Sequence, residues 1–412
     1  EHDLRHLVTV SGEKRGLGGR IVPMWARAAS LILPCVLLPA IHTLAGERPD
    51  FAEGAAVLRA AVADGAFPGG VVCVGTSREV LWCQGFGRLA LGESSYPADP
   101  SSLYDLASLT KVVGTTTVVL CLVRDGRMTL DEPLAKRLPG FLEAASNAEE
   151  RQRRSRVTIE HLLTHSAGLS AWKPLFERAR SYDELLAAVV ATPLDAAPGE
   201  RYRYSDLGLI LLGEAVARAG GKPLPDLERE LVFAPLGMRH TRRNPPASWR
   251  PWIAPTEREG DDGPFIHGVV HDENARAGEG RTGHAGLFST AWDLSVFATE
   301  LLRAHRGESR LFPRELLRRF VRPRNIVEGS SRGLGWDTPS GRSSAGDLLS
   351  RKSFGHTGFT GTSLWLDPER DVHVILLSNR VHPSRQNRKI GAVRRALADA
   401  VARAIDVAQL EH

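Results

Sequence analysis

From Ser108 to Asp125 the chain runs without proline and carries apolar residues on every side of a helix. A helix apolar all round has no face to offer water, so it belongs at the centre of a fold, packed on several sides. Gly126 ends it. One charged residue, Lys111, interrupts this otherwise apolar beginning. Lysine is scarce here, with only seven in 412 residues. An amine buried without a partner is costly, and desolvation alone lowers its pKa toward that of a usable base. Ser108 lies three positions earlier, on the same helix face. A serine hydroxyl is a weak nucleophile at neutral pH and needs a base within hydrogen-bond reach. Ser108 and Lys111 therefore form a candidate nucleophile and base.

The Ser-x-x-Lys spacing alone is a weak signal, since it occurs three times. Ser11/Lys14 lies upstream of an apolar segment that is not part of the fold. Ser170/Lys173 follows Gly168 and precedes Pro174, so it sits in a loop. Only Ser108/Lys111 opens a buried helix. Its bland alternative is an N-terminal cap beside a surface lysine.

The rest of the chain supplies a frame. Phe51 to Ala63 reads as an amphipathic helix. Gly69–Thr76 and Glu79–Gly87 alternate and form a hairpin. Further helices are expected over Ile159–His165, Tyr182–Ala191, Asp206–Ala219, Asp293–Ala304, Pro313–Phe320 and Arg388–Val407. Gly361–Asp367 and Asp371–Ser378 read as strands, and the basic run Arg151–Arg156 as a solvated loop. Strands at both ends with helices between predict an α+β fold: one antiparallel sheet from the two chain ends, flanked by helices, with an inserted helical lobe.

Before this domain, a short positive stretch after Met24, the apolar residues 28–41 and small residues near Ala45 read as a secretory signal peptide. The alternative is an uncleaved anchor, though Pro34 and Pro39 break the segment and it is short for a membrane span. The expected division is 1–46 upstream and 47–412 as one domain, placed outside the cytoplasm. Cys73 and Cys83 lie on the two arms of the hairpin. They are either a disulfide or two small buried residues. The net charge of +5 is spread along the chain with no basic, aromatic-studded stripe, so a nucleic-acid partner is not expected. His161/His165 and His267/His271/Asp272/Glu273 have metal-like spacing, but no metal or other cofactor is expected. There is no phosphate-binding glycine loop.

Two more segments give Ser108 a context. Tyr202-Arg203-Tyr204-Ser205-Asp206 precedes a helix, and Phe354-Gly355-His356-Thr357-Gly358-Phe359 precedes a strand. With Ser108-Leu109-Thr110-Lys111 they resemble the three motifs of the serine β-lactamase and penicillin-binding-protein clan: Ser-x-x-Lys, Tyr-x-Asn and Lys/His-Thr-Gly. Order and spacing agree, about 95 residues and then about 150. Flanks such as His161–Leu169, Gly283–Thr290 and Gly333–Trp336 resemble the same group. The likeness spans nearly all of residues 50–405. It is nearest to class C β-lactamases, family VIII carboxylesterases and secreted DD-peptidases.

The resemblance implies a β-lactamase/transpeptidase-like fold and an acyl-enzyme on Ser108. Lys111 would take the serine proton, alone or with Tyr204, and Tyr204 would pass a proton to the leaving group. The backbone N–H groups of Ser108 and Phe359 would form an oxyanion hole. Asp206, His356, Thr357 and Gly358 would bind substrate, Gly358 by leaving out a Cβ. Two departures stand out. Asp206 replaces the usual Asn, and a carboxylate near Lys111 favours the ammonium unless it points away. His356 replaces the usual Lys and holds an anion less firmly, which leans toward peptidases. The leading expectation is a DD-carboxypeptidase-like hydrolase of cell-wall peptides, with an esterase or β-lactamase as alternatives. A non-catalytic penicillin-binding sensor is the alternative of another kind. The expected partner is a small molecule or peptide with an acyl carbonyl.

Overall fold

The computed structural model describes residues 48–410, except 93–94, 261 and 342. The apolar segment read as a signal peptide lies outside the described residues. Among the described residues no helix is long and apolar enough to cross a membrane.

The two chain ends do share one sheet. Strands β1 (Gly69–Gly75), β2 (Val80–Gly87), β6 (Phe354–Thr357), β7 (Ser363–Asp367) and β8 (Val372–Ser378) lie in the order β2-β1-β8-β7-β6, antiparallel throughout. Both faces are covered, so alternate residues of a strand enter different cores. Val72, Val74, Trp365 and Leu376 pack toward helix α1 (Ala52–Ala63) and the C-terminal helix (Ile390–Leu410). Val71, Cys73, Leu364 and Ile375 join the larger core on the other side. Cys73 and Cys83 are direct neighbours across β1 and β2 and form a disulfide.

The larger core is built around the apolar helix. Its first stretch, Lys111–Thr116, is wound as a π-helix and continues into α2 (Thr117–Arg124). Val112, Val113, Val118, Val119, Leu120 and Leu122 are all buried, each contributing about 1.5–3 kcal/mol by leaving water. Helix α3 (Asp206–Gly220) packs on it. Ser205 caps α3 by accepting from Gly208 N–H at 3.1 Å, and Gly221 closes it in the left-handed conformation at φ 68°. Helix α4 (Ala291–Arg306) packs on β1 and β8 and carries Leu294, Phe297 and Leu301 into the larger core.

Three readings change. Arg151–Arg156 is not a solvated loop: Ala148–Ser155 is a helix. Arg154 is buried in it, held by Glu150 and by the carbonyls of Phe141, Val190 and Thr192. The pattern hid this because a buried arginine is read as a surface one until its partners are known. Phe354–Thr357 is itself a strand, not a lead-in to one. A second, small sheet, β3 (Tyr104–Asp105), β5 (Leu287–Ser289) and β4 (Arg242–Arg243), was not foreseen. Strands of two or three residues carry too little alternation to be read, yet β3 delivers the chain to Ser108.

Several buried histidines are held neutral, His165, His271, His356 and His373 among them. Burial pushes His271 down to about 4 and His373 to about 3, and holds His165 and His356 well below the usual range. In the unfolded chain they bind protons as pH falls through 6.5, so the stability they provide is lost as pH falls from there toward 4. Each proton taken up on unfolding costs about 1.4 kcal/mol per pH unit. Asp105 acts in the opposite sense, since burial raises it to about 6. Urea unfolding is therefore expected to show a clear loss of stability between pH 7 and pH 4.5; equal stability at the two would contradict this.

Candidate active site

Ser108 sits in the turn between β3 and the π-helical stretch. The turn is strained and clamped. Ala107 adopts φ 46°, which a residue with a Cβ rarely does. Buried Asp105 holds it, accepting from Ala107 N–H at 2.8 Å and from His271 N–H at 2.6 Å. From the opposite side the Thr360 hydroxyl donates to the Asp105 carbonyl at 2.7 Å and the Thr362 hydroxyl to the Leu106 carbonyl at 3.0 Å.

Lys111 is fully buried. Its Nζ lies 2.8 Å from Ser108 Oγ, 3.0 Å from the His284 carbonyl and 2.7 Å from Asp206 Oδ1. An ammonium has three protons, and here three acceptors surround it. Burial pulls its pKa down, but the Asp206 carboxylate and Tyr204 outweigh that, and the net direction is upward. The expectation that desolvation makes Lys111 a ready base is thus corrected. Asp206 does not point away: it occupies the first turn of α3, where the helix dipole favours its charge, and it faces Lys111.

Tyr204 lies on the loop before α3. Its ring is 5.0 Å from Lys111 Nζ, 4.4 Å from the His165 ring and 5.8 Å from the His356 ring. Its hydroxyl interacts with both Lys111 and Ser108, and burial raises its pKa, so the phenol is protonated at neutral pH. His165 is the residue the motifs did not single out here. It adopts φ 54°, and its Nδ1 accepts from Ser205 N–H at 3.0 Å, fixing the Tyr204 loop. His161 instead caps its own short helix with Thr158. The two do not converge on a metal, and among the described residues no group of three His, Cys, Asp or Glu does so.

His356, Thr357, Gly358 and Phe359 border the same cleft, about 370 Å³ beside Ser108 and Tyr204. His356 Nδ1 is 2.8 Å from the Thr357 carbonyl, which places the ring proton there and leaves the buried, unpartnered Nε2 as an acceptor. Burial, then Arg332 and Lys111, hold it neutral. His356 therefore suits a donor rather than a carboxylate. Gly358 is needed for a different close approach than expected. A Cβ there would meet Thr362 Oγ1 at 2.1 Å and the Leu106 carbonyl at 2.4 Å, so the missing side chain lets β6 seat against the Ser108 turn.

The positive charge of the cleft comes from arginines that no motif marked. Arg332, Arg380 and Arg394 all line it. Arg394 Nη2 donates to the carbonyls of Gly358 and Thr362 at 2.7 and 2.8 Å, and Arg380 to that of Phe359 at 2.8 Å. Neither has an ion pair among the described residues. Arg332 lies 3.6 Å from Asp337, and its Nη1 is buried without a partner. In a sequence this rich in arginine, nothing local distinguishes these three.

This geometry is that of an acyl-transfer serine site, and comparison with known proteins agrees. The Beta-lactamase family matches residues 55–398, and the chain belongs to that family of serine hydrolases. A protein of Escherichia coli (strain K12) named "Putative D-alanyl-D-alanine carboxypeptidase" is 33% identical over 318 residues, 71% of this chain and 72% of that one. The solved structure of EstCE1, a hydrolase with promiscuous acyltransferase activity, superposes with a TM-score of 0.69 at 20% identity. It covers 85% of this chain and 97% of its own. A penicillin-binding protein homologue from Caulobacter crescentus gives 0.67 at 22% identity, covering 87% and 99%. The fold is the β-lactamase/transpeptidase fold.

Replacing Gly358 by Ala is expected to push β6 off the Ser108 turn and slow acylation of Ser108 by about 100-fold, the scale of a misplacement near 1 Å. A penicillin acylation rate within twofold of wild type would show that this contact does not set the site.

Proposed function

We propose that Ser108 is the nucleophile of a carboxypeptidase that cleaves peptides next to a free C-terminal carboxylate, of the D-alanyl-D-alanine kind. The observation that carries this reading is the arginine-lined cleft beside Ser108: two guanidinium groups with no ion pair of their own are suited to an anionic terminus. Thr357 would add a hydroxyl to the same carboxylate. Its neighbour carbonyl would then point toward the N–H groups of Ser108 and Phe359, the proposed oxyanion hole.

In the resting site Lys111 and Tyr204 are both protonated. The reactive form is the small fraction in which the pair has lost one proton. That form accepts the Ser108 proton as Oγ attacks the carbonyl, and returns it to the departing amine through Tyr204. Water then attacks the Ser108 ester, its proton passing through the same pair to Ser108 Oγ as the acyl–oxygen bond breaks, and the acid product leaves. Asp206 acts here through Lys111, keeping the ammonium in place. The domain, from about residue 47, would work outside the cytoplasm; the apolar segment before it and the Cys73–Cys83 disulfide support that.

The test is release of D-alanine from a peptide ending in D-Ala-D-Ala. Ser108→Ala is expected to lower the rate by about 1000-fold or more. Amidating the terminal carboxylate is expected to lower kcat/KM by about 10- to 100-fold, the value of a charged hydrogen bond. Cleavage of nitrophenyl butyrate with no release of D-alanine would replace this reading with an esterase. Penicillin acylation without any turnover would make the protein a sensor.

A further inference from the structure

The space around Ser108 is divided in two, and the two halves differ in charge. Opposite the arginine-lined cleft lies a second cavity of about 330 Å³, which shares Ser108, Tyr204 and Phe359 with it. Its polar lining is Asp206, His271, Asp272, Glu273 and His284, with Arg385 and Trp172.

The charges there do not cancel. Asp206 is matched by Lys111. Arg385 is shared between two carboxylates, Glu257 and Glu273, the second at 2.6 Å. Asp272 has His284 Nε2 at 2.8 Å and, among the described residues, otherwise accepts only from Ala275 N–H. Burial would raise the Asp272 carboxyl, but His284 holds it below the usual range, so it is ionised. Even with His284 protonated, one carboxylate is in excess.

A second observation points the same way. His271 is 3% exposed, lines the cavity and among the described residues has no hydrogen-bond partner on either ring nitrogen, the Glu257 carboxylate lying 3.9 Å from its Nε2. Burial keeps it neutral near neutral pH. A neutral imidazole presents one lone pair, which accepts from an N–H donor. His284 Nδ1 is also buried, and it too has no partner. Trp172, 42% exposed, offers its indole to a cation.

We infer that this cavity is a subsite for a primary ammonium group carried by the acyl part of the substrate. The inference rests on the carboxypeptidase reading and extends it. The substrate is dipolar across the scissile bond, with a carboxylate on the leaving side and a free amine on the acyl side. Glu273 and Asp272 supply the charge, His271 accepts one ammonium proton, and the arginines opposite repel the wrong orientation.

The test uses two penicillins whose side chains differ by one α-ammonium group, ampicillin and benzylpenicillin. Their second-order rates of acylation of Ser108 are measured by mass spectrometry on the intact protein. Ampicillin is expected to react about 10- to 100-fold faster, with the ratio shrinking as salt is added. In Glu273→Gln the ratio is expected to collapse toward one. The wild-type ratio needs no variant to fold. Equal rates in wild type would overturn the ammonium subsite while leaving the serine hydrolase standing. No modification of Ser108 by either compound would defeat the carboxypeptidase reading and this inference with it.

Discussion

A charged lysine in an apolar core survives only if its protons are accounted for, and the arrangement around Lys111 follows from that requirement. Desolvating an ammonium costs several kcal/mol before any partner is counted. Three acceptors offset this, and each comes from a different part of the chain: Ser108 from the turn after β3, Asp206 from the start of α3, and the His284 carbonyl from the loop leading to β5. Satisfying one side chain therefore brings three distant segments to one point. The same pairing stabilises the ammonium, so what lets Lys111 be buried also holds back its basicity.

The backbone around Lys111 is fastened to match. The Thr115 hydroxyl donates to the Gly283 carbonyl at 2.7 Å, and Thr110 Oγ1 accepts from Leu287 N–H at 3.1 Å. Arg243, buried and paired with both oxygens of Glu228, donates to the Ala285 and Gly280 carbonyls at 2.8 Å. Glu228 in turn lies against Gly114, where a Cβ would be 2.3 Å from its Oε1. The π-helical winding at Lys111–Thr116 is thus held at Thr115 by the Gly283 carbonyl and at Gly114 by Glu228. Wider turns of this kind recur at functional sites because they reposition one side chain without ending the helix. Here Lys111 opens the widened stretch.

Much of this is legible in the sequence. The buried helix, the hairpin and the C-terminal strands follow from local periodicity, and the placement of Tyr204 with Ser108 and Lys111 from the resemblance of three short motifs to a known family. What could not be read depends on partners far away in the chain. In the sequence Asp206 is an ambiguous carboxylate, and only the fold sets its side chain against Lys111. His356 looked like a weakened cation, and burial beside Arg332 and Lys111 makes it a neutral acceptor. Arg332, Arg380 and Arg394 are separated by tens of residues and sit in no motif. The small sheet is too short to leave a pattern.

The central claim is that Asp206 keeps Lys111 protonated, so that the serine proton leaves through a minor form of the Lys111–Tyr204 pair. Its most direct test is the pH dependence of Ser108 acylation by benzylpenicillin, in wild type and in Asp206→Asn. In wild type the rate constant should rise from about pH 6 to about pH 9 without a plateau, as expected for a base held above that range. Without the carboxylate the Lys111 pKa falls, and the rise should move to lower pH. Superimposable profiles for the two proteins would contradict the account.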